Sequence, residues 1–95
     1  MQQEKNSQNK FVNTLKEIIS SRRNKIKKSI YLVSAECNIS KSTWRELELG
    51  MRKDLTLTTF CKIAEGLDIA PHELLKELTD KLGKNFSFTD ITKKD

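Results

Sequence analysis

The thiol and imidazole groups of the chain are three, Cys37, Cys61 and His72. A tetrahedral zinc site needs paired ligands at short spacings such as C-x-x-C, and these three residues cannot supply one. A histidine-activated nucleophile would have to depend on His72, and no G-x-S-x-G or comparable signature accompanies it. The glycines, Gly50, Gly66 and Gly83, are too dispersed to cradle a phosphate. No metal, no cofactor and no catalytic set is therefore expected, and the reading excludes an enzyme and a small-molecule substrate. Both cysteines read as small buried apolar residues in a reducing compartment. His72 reads as a surface residue, and Tyr31 as a half-buried packing residue.

The chemistry that remains is charge. The chain holds 18 Lys and Arg against 13 Asp and Glu, a net charge of +5. Residues 1–53 carry 12 cations and 5 anions, whereas residues 54–95 carry 6 and 8, so the first part is +7 and the second −2. A basic face concentrates polyanions because each neutralised phosphate releases condensed counterions, which makes nucleic acid the leading partner class. An anionic membrane surface is the rival. A plainer explanation of Lys25, Lys27 and Lys28 is that they are only solvated.

The elements that position these charges follow from apolar spacing. At 95 residues the chain has the length of one domain. Its 36% apolar and 33% charged residues imply a small core with polar ends. Residues 1–10 are polar and lack a secretory apolar stretch, and no apolar run is long enough for a membrane span, so the expectation is a cytoplasmic protein. Residues 1–9 are expected to form a disordered arm. Phe11, Val12, Leu15, Ile18 and Ile19 follow one helix face from about Lys10 to Lys25, with cations in the last turn. Ser29 can cap a short second helix to Cys37, ended by Asn38, and Ser40 can cap a third over 41–49, closed by Gly50. Leu57, Phe60, Cys61, Ile63, Ala64 and Leu67 mark a fourth helix. Pro71 opens a fifth bearing Leu74, Leu75 and Leu78. The fold class is thus all-α, a compact five-helix domain over residues 10–79 with flexible termini. Residues 80–95 are expected to be a flexible polar tail, although Phe86 and Phe88 alternate as a short strand over Asn85 to Ile91 would.

Helices over 30–37 and 41–49, joined by about three residues, have the spacing of a helix-turn-helix unit, whose first helix braces the second. The stretch Ser29-Ile30-Tyr31-Leu32-Val33-Ser34-Ala35-Glu36-Cys37-Asn38-Ile39-Ser40-Lys41-Ser42-Thr43-Trp44-Arg45-Glu46-Leu47-Glu48-Leu49-Gly50 resembles the phage-repressor-like helix-turn-helix family, also called the Cro or Xre type. Ile63-Ala64-Glu65-Gly66-Leu67-Asp68-Ile69 and Glu73-Leu74-Leu75 extend the resemblance to about residues 11–78. The departures are specific. Asn38 stands for the turn glycine, Ser34 for the usual alanine, Ile30 for a glutamine that often contacts phosphate, and Lys27 and Lys28 for a glycine and an apolar residue. Trp44 replaces a smaller isoleucine and needs a roomier pocket, for which Ser34 and Ala35 are the candidates.

The resemblance implies a lambda-repressor-like fold that inserts helix 41–49 into the major groove of double-stranded DNA. It aligns Lys41, Ser42, Arg45 and Glu46 with base-reading and backbone-contacting positions. Lys and Arg donate to guanine O6 and N7, and Glu accepts from cytosine N4. Ser40 reads first as a cap, and its hydroxyl and that of Thr43 can also meet phosphate; Arg52 and Lys53 fall in a backbone-contacting loop. Lys27 and Lys28 could also reach phosphates. The resemblance further implies that Arg23 and Glu48 form a structural ion pair, which removes both from the DNA-contact set. The expected function is a sequence-specific transcriptional regulator, a repressor acting as a homodimer. Helix five or the segment from Phe86 to Ile91 would supply its interface. The alternative is an antitoxin-like or other protein-interaction module in which DNA binding is secondary.

Overall fold

The computed structural model describes residues 3–89, with side chains from Asn9 onward. Five α-helices follow in order: α1 Gln3–Lys25, α2 Ile30–Glu36, α3 Lys41–Glu48, α4 Leu57–Gly66 and α5 Pro71–Leu82. No strand occurs among the described residues. No helix among them is long and apolar enough to cross a membrane.

The starts of α2 to α5 are capped by what the sequence offers locally. The Ser29 hydroxyl accepts from the Leu32 amide at 3.0 Å, Ser40 from Thr43 at 3.1 Å and Thr56 from Thr59 at 3.1 Å. Each satisfies one of the amides that a helix start leaves without a partner. Ala70 has no side-chain acceptor, and at α5 the cap is reversed. Glu73 accepts from the Ala70 amide at 3.0 Å, and Pro71 removes a second orphan donor.

The ends of α1 to α4 share one device. Lys27, Asn38, Gly50 and Asp68 all have φ between 60° and 73°. Beyond each, an amide reaches back five residues: Lys28 to Arg23, Ile39 to Ser34, Met51 to Glu46 and Ile69 to Ala64. This is the Schellman closure, in which one left-handed residue turns the chain sharply. Asn38 therefore performs the turn that the resembled family gives to glycine. The reworked connection after α1 uses Lys27 in the same way.

The core takes Leu15, Ile18 and Ile19 from α1, Val33 and Cys37 from α2, and Trp44 and Leu47 from α3. To these α4 adds Ile63, Ala64 and Leu67, and α5 adds Leu74, Leu78 and Leu82. Gly66 allows α2 and α4 to approach, since a Cβ there would lie 3.0 Å from Val33 and 3.1 Å from the Cys37 sulfur. Burial raises the Cys37 thiol pKa, which suits an unreactive packing residue. Cys61 is only half-buried, because it lies at the edge of α4's apolar face.

Several expectations are corrected. α1 begins at Gln3, so the stretch read as a disordered arm over 1–9 is helical from that residue on. It is rich in good helix formers and adds turns to a helix already nucleated by packing. The tail expected from residue 80 is structured over its first part: α5 runs on to Leu82, which is buried. Gly83 at φ 90° then turns the chain back. Phe86 packs on the core and meets Phe88 edge-on at 4.8 Å, and Phe88 meets Phe11 of α1 at 5.9 Å. Lys10 ties α1 to this end by donating to the Leu82 carbonyl at 3.3 Å. Ile91 lies outside the described residues. Leu57 and Leu75, which mark the fourth and fifth helices in the sequence, are both exposed.

Candidate nucleic-acid interface

The outward face of α3 is set by what the helix buries. Trp44 is fully enclosed and Leu47 nearly so, which rolls Lys41, Ser42 and Arg45 to the exposed side. Of the two residues expected to make room for Trp44, Ser34 is buried, with its hydroxyl donating to the Tyr31 carbonyl at 3.1 Å. Ala35, the other residue expected there, is exposed.

The inner side is fastened by a polar cluster. Glu48 accepts from Arg23 Nε at 2.5 Å and from a second guanidinium nitrogen at 2.9 Å, and it also accepts from Trp44 Nε1 at 2.7 Å. Arg23 additionally donates to the Lys28 carbonyl at 2.9 Å. The Glu48 hydrogen bond holds the guanidinium pKa above its ordinary value against the opposing effect of burial. No buried side-chain nitrogen or oxygen among the described residues lacks a partner. The forked pair expected between α1 and α3 is thus present, with the indole as a third donor that spacing alone did not suggest.

On the outer side most of the expected residues come together. Ser40 serves first as a cap, and its hydroxyl also donates to Thr43 Oγ1 at 2.8 Å and lies 3.3 Å from the Ser42 hydroxyl. Arg52 reaches back from the following loop, donating to Glu46 at 2.9 Å and to Thr43 Oγ1 at 3.2 Å. Both partners of the Arg52–Glu46 pair are substantially exposed, a setting in which an ion pair contributes only ~0 to 1 kcal/mol. Arg52 can therefore exchange Glu46 for a phosphate at small cost. Ser40, Lys41, Ser42, Thr43, Arg45, Glu46 and Arg52 accordingly share the surface built on α3. Lys53, the next residue, lines an apolar groove together with Phe11, Leu57 and Phe88.

The two lysines after α1 divide. Lys27 is exposed, whereas Lys28 is turned inward as a clamp. Its ammonium donates to Glu36 at 2.5 Å, to Asp68 at 3.1 Å and to the Gly66 carbonyl at 3.1 Å, joining the ends of α2 and α4. The Glu36 and Asp68 carboxylates hold its pKa above the ordinary lysine value, despite burial. The reading of Lys28 as a phosphate contact is corrected on this ground: its three donor directions are all used internally.

One residue of this surface was misread from sequence. Tyr31 is 70% exposed and not half-buried, and Lys41 Nζ stands 5.9 Å from its ring centroid. The signal was present in α2, where Val33 and Cys37 face inward and leave position 31 on the outside. A phenol hydroxyl beside a lysine adds a second donor to the cationic edge of the surface. No three or more His, Cys, Asp or Glu side chains among the described residues are grouped to hold a metal. No family model matches the chain, and neither a curated protein nor a solved structure matches it.

Proposed function

We propose that the chain is a sequence-specific double-stranded DNA-binding regulator, a repressor, that folds as the phage-repressor type does and acts as a homodimer without catalysis. In this reading the N-terminal half of α3 enters the major groove. Lys41 and Arg45 donate to guanine edges, Glu46 accepts from cytosine, and Ser42 meets either base or backbone. Ser40, Thr43 and Arg52, with Tyr31 at the edge, contact phosphate and fix the register. Lys53 borders the other surface and is assigned no base.

The observation that carries the reading is the contrast between the two sides of α3. Its outer side is an uncovered row of Lys41, Ser42 and Arg45. Its inner side is held by Trp44, Leu47 and the Arg23–Glu48 fork. A helix that is to read base edges must present donors to solvent while being unable to turn about its own axis. The surplus of +7 in residues 1–53, which include all of α3, supports the same partner.

The test is fluorescence anisotropy of the protein against duplexes from its own upstream region and against scrambled duplex, over a salt series. Tight binding to one upstream segment, falling steeply with salt, is expected. Lys41→Ala should remove about 1 to 3 kcal/mol of discrimination while leaving the melting temperature unchanged. Equal and weak binding to every duplex, with no effect of Lys41→Ala, would sink the proposal.

A further inference from the structure

The polar row on the outer side of α3 ends on an apolar residue. Leu49, which caps α3 at its C-terminal end, has φ −90° and ψ −2°, and its amide donates to the Arg45 carbonyl at 3.0 Å. It is therefore still on the helical path, and the left-handed turn comes one residue later, at Gly50. Lying seven residues from Ser42 and four from Arg45, it falls on the same stripe as those two, one turn beyond Arg45. The opposite stripe belongs to Trp44 and Leu47, which are buried. Leu49 keeps 60% of its surface in solvent and belongs neither to the core nor to the apolar side chains packed against it.

An exposed leucine alone means little, since single apolar residues are common on protein surfaces. The setting of this one is specific. Ser42 and Arg45 on its stripe and Lys41 beside them all offer hydrogen bonds to a partner. The floor of the major groove answers with hydrogen-bonding atoms and one kind of apolar group, the C5-methyl of thymine. A leucine at the end of a row of donors matches that inventory. Against a phosphate it would contribute no donor.

We propose that Leu49 reads a thymine methyl and is a specificity-determining residue at the far end of the α3 surface; this rests on the operator reading above. The rise of the helix places the base. At ~1.5 Å per residue, Leu49 lies ~6 Å beyond Arg45 and ~12 Å beyond Lys41 along the helix axis. With that axis along the groove and base pairs ~3.4 Å apart, the thymine falls about two pairs from the guanine met by Arg45 and about three to four from the pair met by Lys41. Taking a methyl group and a leucine out of water has no directional requirement. The contact therefore suits the shallow end of the surface, beyond the N-terminal half of α3 that enters the groove.

The test deletes the methyl from the DNA and the leucine from the protein, separately and together. In the upstream duplex that the protein prefers, each thymine is replaced in turn by deoxyuridine, which lacks only that methyl, and binding is followed by fluorescence anisotropy. One thymine per half-site should matter, and its replacement should weaken binding about fourfold, the effect of one apolar carbon returned to water. Leu49→Ala should weaken binding to the thymine duplex at least as much and make thymine and deoxyuridine equivalent. The melting temperature of that variant should be unchanged, because the side chain is exposed. Leu49→Met, of similar size and still apolar, should retain the thymine preference, and Lys41→Ala should leave it in place. A specific operator indifferent to every thymine methyl overturns the inference, as does a thymine effect that survives Leu49→Ala. A loss in Leu49→Ala that falls equally on thymine and deoxyuridine duplexes also overturns it, and sets Leu49 against the DNA backbone or a protein partner. Equal, weak binding to every duplex would instead remove the operator reading, and the thymine contact with it.

Discussion

The surface on α3 and the groove beside α4 and α5 are built in opposite ways. α3 is polar outside, and its inner side is closed by one fully enclosed indole and a carboxylate with three donors. The groove is apolar outside, and its rim residues Leu57 and Phe88 are mostly in solvent. The difference separates two demands. A surface that positions hydrogen-bond donors for a rigid partner must be anchored from within, because a donor displaced by a fraction of a bond length loses its acceptor. A surface that works by removing apolar area from water is indifferent to such detail and can be finished by the partner.

This comparison can be broken most sharply at Trp44. Trp44→Ala deletes the largest fully buried side chain and should lower stability by about 3 to 5 kcal/mol, measured by urea denaturation. A loss below 1 kcal/mol would mean that α3 is not held from within. Glu48→Ala should follow, at about 3 kcal/mol, because it leaves two donors of the Arg23 guanidinium and the Trp44 indole without their acceptor. Duplex binding by that variant should fall only as far as its folded population falls; unchanged thermal stability would refute the bracing role.

The Lys28 clamp should matter less, about 1 kcal/mol or under, because its carboxylate partners are largely exposed. Its pKa is raised in the folded protein, so its contribution is complete below the ordinary lysine value of 10.5 and disappears as pH climbs through the raised value. The stability difference between the protein and Lys28→Met should therefore be widest near neutrality and close under strongly alkaline conditions. A difference that persists unchanged at alkaline pH would assign the effect to packing of the lysine stem. Smallest of all should be Leu57→Ala, within about 0.5 kcal/mol in the monomer, since little of that side chain is buried.

Much of the fold was legible because local rules are strong at the helix ends. Ser29 and Ser40 cap the helices they were expected to cap, and Asn38 and Gly50 turn the chain where they were expected to end one. The burial of Trp44 and Leu47 follows from their three-residue spacing, and the exposure of Lys41, Ser42 and Arg45 follows from that burial. The same periodicity places Tyr31 on the outside of α2, against the packing role that its aromatic type suggests. Less could be known of Lys28, whose partners Glu36 and Asp68 lie 8 and 40 residues away. The sharing of Glu48 between Arg23 and Trp44 also needed the packed core to be seen.

The sequence by itself determined where α2 to α5 start, where α2 and α3 turn, which side of α3 faces out, and the basic bias of the residues up to 53. These depend on capping groups, left-handed turn residues and helical periodicity, all of which act over a few residues. Only the tertiary structure decided that Lys28 is a clamp, that Lys53 lines an apolar groove, and that the segment after Gly83 folds back on Phe11. It also decided that Leu57 and Leu75 stay in water while Leu74 and Leu78 do not. A leucine's burial depends on which helix covers it, and that is settled by residues far along the chain.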